Sequence, residues 1–458
     1  MRKDDLRGCG SSNQDQLRFL KPGSVAVPQT RISCGSSNQD QTPSVQSVFV
    51  NTFFQIAQTP FRTQQKPIMP IRTVFARSLK FKHQTRQEDT MILASYNVEN
   101  LFDRAKALNL DTWQQGKPIL EKHAAFNALL NKTRYTAADK TRILRFIVEF
   151  GLEKEDTGEF VILRQNRGKL LKRGKAGLEV VAEGRGDWIG WLELRKTVVN
   201  ERATRNTGQV IRDVNADVLA VIEAEDRIAL ERFSEAVLLG VSGQPYRHVM
   251  VIDGNDERGI DVGLLTRDGY PITTIRSHID DEDAQGEIFS RDCPEYHIRT
   301  PSGQDLWVLV NHFKSKGFGS QESSNQKRIR QARRVRALYE ALLEQGAQYV
   351  AVVGDLNDTP DSAPLQPLLN GAGLRDASEL AEFEDGGRPG TFGNGTASGK
   401  IDYVLLSPDL FDRAVRGGIF RKGVWGGKNG TLWEIYPEME RASHAASDHA
   451  AIWVELNL

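Results

Sequence analysis

Five apolar runs, each with a polar cluster at one end, constrain this chain more than any other feature. The clusters lie in SYNVEN (95–100), AVIEAED (220–226), VNHFKSK (310–316), VVGDLND (352–358) and ASDHAAIWVEL (446–456). The runs are short and rich in Val, Ile and Leu, as strands buried on both faces are. Each sets Asn, Glu, His or Asp where the chain meets the edge of a sheet. Five such ends, spread from residue 95 to residue 449, point to several strands emptying carboxylates, amides and imidazoles into one pocket.

Further strand-like runs are RHVMVI (247–252), DVGLLTR (261–267) and IDYVLLS (401–407). Between strands, RIALERFSEAVLLG (227–240) and NQKRIRQARRVRALYEALLEQG (325–346) read as helices. The second carries Ile329, Ala332, Val335, Leu338 and Leu342 at helical spacing, and Gly346 stops it. Strands alternating with helices put the chain in the α/β class.

Two stretches stand apart. Asn97 and Glu223 are 126 positions apart, too far for a structureless loop in a compact domain. Helical patterns at 118–131 and 136–151 and strand patterns at 159–165, 178–184 and 188–200 predict an ordered insertion around 104–212. It carries Lys169, Lys172, Arg173 and Lys175 in a turn, and Trp188 and Trp191 as candidates for packing or for shaping a substrate site. Residues 1–90 are polar, repeat CGSSNQDQ at 9–16 and 34–41, and lack sustained periodicity. They are expected either to be disordered or to be an extension upstream of a start at Met91.

In order and wording, YNVEN, DVLAVIEAE, NHFKS, GDLND, KIDYVLLS and SDH resemble the endonuclease/exonuclease/phosphatase superfamily, over roughly residues 91–458. The resemblance implies a DNase I-like four-layer sandwich: two packed mixed β-sheets flanked by helices, with the active site at one edge. It also implies Mg²⁺-dependent phosphoester hydrolysis, with Mn²⁺ as a substitute ion. Glu223, Asp448 and Asn97 match the metal-holding positions. Asp355 matches the residue that orients or deprotonates water, Asn357 one that binds phosphoryl oxygens, and Asp402 the carboxylate that supports His449. His312 resembles the second histidine of the DNase I-like branch, a candidate for proton delivery to the leaving oxygen. Asp261, at the start of DVGLLTR, is the expected carboxylate behind His312.

The chemistry agrees with those residue types. Phosphoester hydrolysis needs a cation to neutralise developing charge, a base for water and donors for phosphoryl oxygens. Mg²⁺ prefers carboxylate oxygen. Asn311, Lys314, Lys316 and Lys422 are the expected substrate-binding residues, the last in the glycine-rich loop FRKGVWGGKNG (420–430). GDLNDTPD also reads as an ordinary Asx turn, and His312 as a structural histidine.

A formal net charge of +0 advertises no global affinity for polyanions. Three cysteines match neither a zinc spacing nor a disulfide framework, and no apolar run of membrane-spanning length occurs. The cytoplasm is the expected location. The expected substrate is a phosphodiester, with nucleic acid favoured. A phosphomonoester or a lipid headgroup is the alternative, and a catalytically inactive binding module ranks below both.

Overall fold

Side-chain alternation along the strands decides how the layers stack. The computed structural model describes residues 90–458 apart from 100, 102, 111, 112, 176, 257 and 318, so the expectation for residues 1–89 lies outside the described residues. Strand β1 (Thr90–Asn97) runs parallel to β2 (Val218–Ala224) and antiparallel to the last strand of the chain. Leu93 faces one side of that sheet and Ala94 the other, and both are fully buried. A sheet buried on both faces needs a layer on each.

The first sheet continues with β3 (His248–Ile252) and β4 (Asp261–Thr266). The second is built from β5 (Ile272–Arg276), β6 (Glu295–Arg299), β7 (Asp305–His312), β8 (Tyr349–Asp355) and the short edge strand β9 (Arg375–Asp376). The chain then adds β10 (Phe383–Glu384) to the first sheet, β11 (Asp402–Leu406) to the second, and β12 (Ala414–Phe420) and β13 (Ala451–Asn457) to the first. The orders are β10-β12-β13-β1-β2-β4-β3 and β5-β6-β7-β8-β11-β9, each mixing parallel and antiparallel pairs.

Leu93, Val218, Ala220, Ile222 and Leu264 of the first sheet meet Ile298, Val308, Val310, Ala351, Val353 and Val404 of the second in one dry core. The outer face of the first sheet is covered by helix α3 (Glu201–Val214) through Val210, Ile211 and Val214. The outer face of the second is covered by helix α5 (Gln321–Glu344) through Val335, Leu338, Tyr339 and Leu342. The order helix, sheet, sheet, helix is the four-layer α/β sandwich expected from the sequence. No described helix is long and apolar enough to cross a membrane.

The segment after β1 has a core of its own. Helices α1 (Trp113–Leu130) and α2 (Ala137–Glu149) pack on paired strands 161–167 and 189–194, with Phe126, Ile143, Ile147, Leu163, Trp188 and Leu192 inside. That core spans residues 105–194, so the insertion ends earlier than the expected 212: α3 belongs to the sandwich. Trp188 is buried as a packing residue, its indole N–H on the Tyr135 hydroxyl, while Trp191 is exposed. Arg173, expected in a cationic turn, instead binds the carbonyls of Leu152, Glu153 and Glu155 and the Asp156 carboxylate. Between β2 and β3, helix α4 (Arg227–Arg232) continues as a π-helical stretch over Phe233–Leu238.

Candidate active site

Sheet register brings the polar strand ends together. His312 pairs with Asp355 across the parallel β7–β8 ladder, and Asp355 pairs with Asp402 across β8–β11. A Cβ on Gly354 would lie 2.0 Å from the Asn311 carbonyl oxygen, so only glycine lets β7 approach β8 beside Asp355.

Asp355 is the hub. Its Oδ2 accepts from Asn97 Nδ2 at 3.3 Å and from Asn357 Nδ2 at 3.1 Å, while Oδ1 accepts the Asn357 backbone N–H at 2.8 Å. The last bond is the Asx turn that GDLN predicts, and the positive φ of Asn357 completes it. The turn and the site are therefore one structure. Asn97 in turn accepts the Glu99 N–H on Oδ1.

His449 stands on the other side of Asp355. Its Nδ1 lies 2.8 Å from Asp402 Oδ2, and its Nε2 lies 3.9 Å from Asp355 Oδ2 and 3.8 Å from Asp448 Oδ1. Thr391 Oγ1 donates to Asp402 Oδ2 at 2.6 Å, and Ser447 Oγ accepts the His449 N–H while donating to the Asn97 carbonyl. Phe392 packs on the imidazole at 4.9 Å. Burial works against a charge on His449, but Asp402, then Asp448 and Asp355, hold its pKa well above the usual value. Burial pushes Asp355 up to about 7, helped by Asp402 and opposed by His449.

Glu223 owes its position to a bulge. Val262 pairs with Ile222 and Asp261 with Ala224, so Glu223 is the extra residue of β2 and sits at φ 67. A bulge re-aims the side chain it carries, and Glu223 Oε1 lies 3.6 Å from His312 Nε2. The bulge also breaks the alternation that would have aimed Glu225 the same way: Glu225 lines a separate basin with Asp226 and Arg227.

His312 Nε2 is 3.7 Å from Asp355 Oδ2, but its Nδ1 has no hydrogen-bond partner among the described residues. Asp261 is therefore not the carboxylate behind it. Its Oδ1 accepts the Gly254 N–H at 2.7 Å, because the bulge turns that strand end toward the 253–256 loop. Burial, then Arg291 and Arg258, push the His312 pKa well below its usual value.

The cationic candidates divide. Lys316 pairs with Asp358 at 2.5 Å, and Asp358 also binds Arg328, the one buried arginine of α5. Lys314 lines a cleft with Arg258 and Arg291. Asn311 is buried, its Nδ2 on the Leu309 carbonyl and its Oδ1 without a partner among the described residues. Lys422 does not join the cluster contacts: Glu434 holds its ammonium at 2.6 Å. Arg421, in the same glycine-rich loop, is spent on the Asp385, Arg388 and Gly390 carbonyls. Two cations of that loop, Arg421 and Lys422, are thus bonded to groups of the protein itself.

Sequence reasoning missed Thr391, Ser447, Asp256, Arg258 and Arg291. Ser447 lay inside the SDH motif and Arg258 beside the Asp261 run, so adjacency could have flagged both. Arg291 and Thr391 sit in loops without a periodic signal.

Several of these groups are metal donors. Asp355, Asp402 and His449 bring ligand-type atoms within 4.8 Å of one another, and such a buried group can hold a metal ion. Nδ1 and Asp402 Oδ2 are already joined, however, which fits a hydrogen-bonded pair better. Glu223 and Asp355 both reach His312 Nε2 and add carboxylate oxygens beside this group, Asn97 stands next to Asp355, and Asp448 is half-exposed next to His449. Burial raises the pKa of Glu223, and Glu223 adds to the rise at Asp355. Crowded carboxylates of this kind fit a hard divalent cation.

Residues 185–383 match the family model described as Endonuclease/Exonuclease/phosphatase family. The match holds Glu223, His312, Asp355 and Asn357, and stops before Asp402, Asp448 and His449. Among solved structures, a mannosyl-6-phosphatase of Bacteroides thetaiotaomicron is 17% identical, covering 56% of this chain and 91% of its own, at a TM-score of 0.42. Truncated TDP2 of Caenorhabditis elegans is 16% identical over 56% and 90%, at 0.39. The human Nocturnin catalytic domain is 14% identical over 56% and 87%, at 0.39. A search of curated proteins found no match.

Proposed function

The chain belongs to the endonuclease/exonuclease/phosphatase superfamily of phosphoester hydrolases, and from that membership we propose that it is a Mg²⁺-dependent phosphodiesterase acting as a nuclease. The observation that carries the reading is the Asp402–His449 pair facing Asp355, with Asn97 and Asn357 holding that carboxylate in place. Glu223, Asn97 and Asp448 are the residues that would hold the ion. A bound Mg²⁺ supplies charge neutralisation at the phosphoryl oxygens, and Mn²⁺ has the same donor preference.

The protein's own groups do the rest. Asp355, fixed on both oxygens, orients the attacking water and takes its proton. The His449 imidazolium, kept charged by Asp402, faces the phosphoryl oxygens and stabilises charge that grows in the transition state. Asn357 stands beside Asp355 as a second amide donor. His312 has no carboxylate on Nδ1, so we assign it a neutral hydrogen bond to the phosphate rather than proton delivery.

Bis-p-nitrophenyl phosphate and a thymidine dinucleotide test the reaction and this assignment together. The wild-type protein is expected to hydrolyse both diesters with Mg²⁺. His312→Ala is expected to lose the same factor on each, because a phosphate contact does not depend on the leaving group. A markedly larger loss on the dinucleotide, whose leaving oxygen needs a proton, would make His312 the general acid. No turnover of either diester would refute the phosphodiesterase reading.

A further inference from the structure

Helix α1 of the insertion faces the sandwich across a cleft of about 250 Å³. One wall, made by Leu120, His123, Ala124 and Leu194, is mostly apolar; the other carries Arg258, Arg291 and Lys314. We propose that this cleft binds a second phosphate group of the substrate, adjacent to the scissile one. The inference rests on the phosphodiesterase reading and adds to it a substrate class: phosphoesters that carry another phosphate nearby.

Charge carries the argument. Asp256 is the acid in that wall, and it already serves two guanidiniums: Arg258 binds it through Nε at 2.9 Å and Nη2 at 2.6 Å, and Arg291 reaches it through Nη1 at 3.2 Å. Lys314 adds a third cation. Arg291 is 2% exposed, yet its Nε has no partner among the described residues. Its Nη groups are held by Asp256 and the Phe313 carbonyl, so Arg291 contributes fixed positive charge to the wall rather than a free fork. The crowding is felt at Lys314, whose pKa burial and then Arg291 and Arg258 bring down to about 8.

The cleft is also joined to the reacting centre. The Phe313 carbonyl accepts from Arg291 Nη2 at 2.6 Å and from Asn357 Nδ2 at 3.1 Å, so one oxygen ties the cationic wall to the Asp355 hub. Lys314 follows two residues after His312. The volume is below the roughly 300–1,000 Å³ of a pocket for a whole small ligand, which suits a subsite. The wider basin lined by Lys196, Arg227 and Arg232 sets those cations against Glu225, Asp226 and Asp253, so its balanced charge selects no anion.

The test is calorimetric binding of adenosine 3′,5′-bisphosphate and adenosine 5′-monophosphate to the wild-type protein, Lys314→Ala and Ala124→Glu. Ala124 is exposed, so the added carboxylate can be carried without disturbing the insertion core. The bisphosphate is expected to bind wild type at least about tenfold tighter than the monophosphate, and each variant is expected to erase that advantage. Equal affinities in wild type, or an advantage that survives both variants, would overturn the proposal. Thymidine dinucleotides with and without a 5′-phosphate identify the source. A tenfold gain from the 5′-phosphate means a polynucleotide supplies the group; a gain confined to the bisphosphate means a small molecule does. Because binding is read directly, a protein that fails to hydrolyse diesters would refute the proposed reaction and leave the cleft measurement standing.

Discussion

His449→Ala is expected to lower kcat/KM on a phosphodiester by about 10²–10⁴-fold, and Asp402→Asn to do nearly the same. Together they should be little worse than either alone. The reason is geometric: Asp402 Oδ2 meets His449 Nδ1 at 2.8 Å, both side chains are almost fully buried, and Thr391 fixes the carboxylate from behind. Asp402 touches the reaction only through the imidazole, so removing it takes away the charge support and orientation that make His449 useful. Groups that act as one unit give such non-additive losses. Breaking a buried ion pair also destabilises a fold by about 3–5 kcal/mol, so the rates are to be compared below each variant's melting transition. Losses that multiply would mean that Asp402 and His449 act separately.

Glu223→Gln is expected to cost at least about 100-fold in turnover, since outer partners of metal ligands already cost 10–100-fold when removed. The amide keeps the shape and loses the anionic oxygen. Stability should move the other way. Folding raises the pKa of Glu223 through burial, so the native state holds the proton more tightly than the unfolded chain does. Stability from this group is therefore present at low pH and lost as pH rises through the raised value. At neutral pH the wild-type carboxylate is a burden that Gln removes. In the absence of divalent ions the variant should melt no lower than wild type. A variant that is both active and destabilised would place the metal elsewhere.

Most of the sandwich was legible because its central strands are dry on both faces. Runs such as DVLAVIEA and YVAVVGDL have no other stable home than the middle of a sheet. What escaped detection lay at edges and covers. In β12, Gly417 and Gly418 weaken the strand pattern, yet a Cβ on Gly417 would meet the Trp453 carbonyl at 2.8 Å, so close packing demands a glycine there. Helix α3 hid because Thr204, Asn206, Thr207 and Gln209 are buried with hydrogen bonds that look like a polar surface in sequence.

The site divides along the same line. Asn97, Asp355, Asn357, Asp402 and His449 sit at or next to strand ends, where register and the Asx turn at Asn357 bring them together. Glu223 reaches this cluster through a bulge that strand alternation does not reveal. Asp261 was paired with the wrong neighbour because a strand end says where a side chain begins, not which neighbour claims it. Arg258 and Arg291 depend on loops packed against one another, a contact no local pattern encodes.

The central claim is that this cluster hydrolyses phosphodiesters with a divalent ion held at Glu223. The most direct measurement is hydrolysis of bis-p-nitrophenyl phosphate by the wild-type protein, first with Mg²⁺, then after chelation, then with Mg²⁺ or Mn²⁺ restored. The account predicts turnover that disappears on chelation and returns with either ion. Turnover that persists through chelation, or none with either ion, would contradict it.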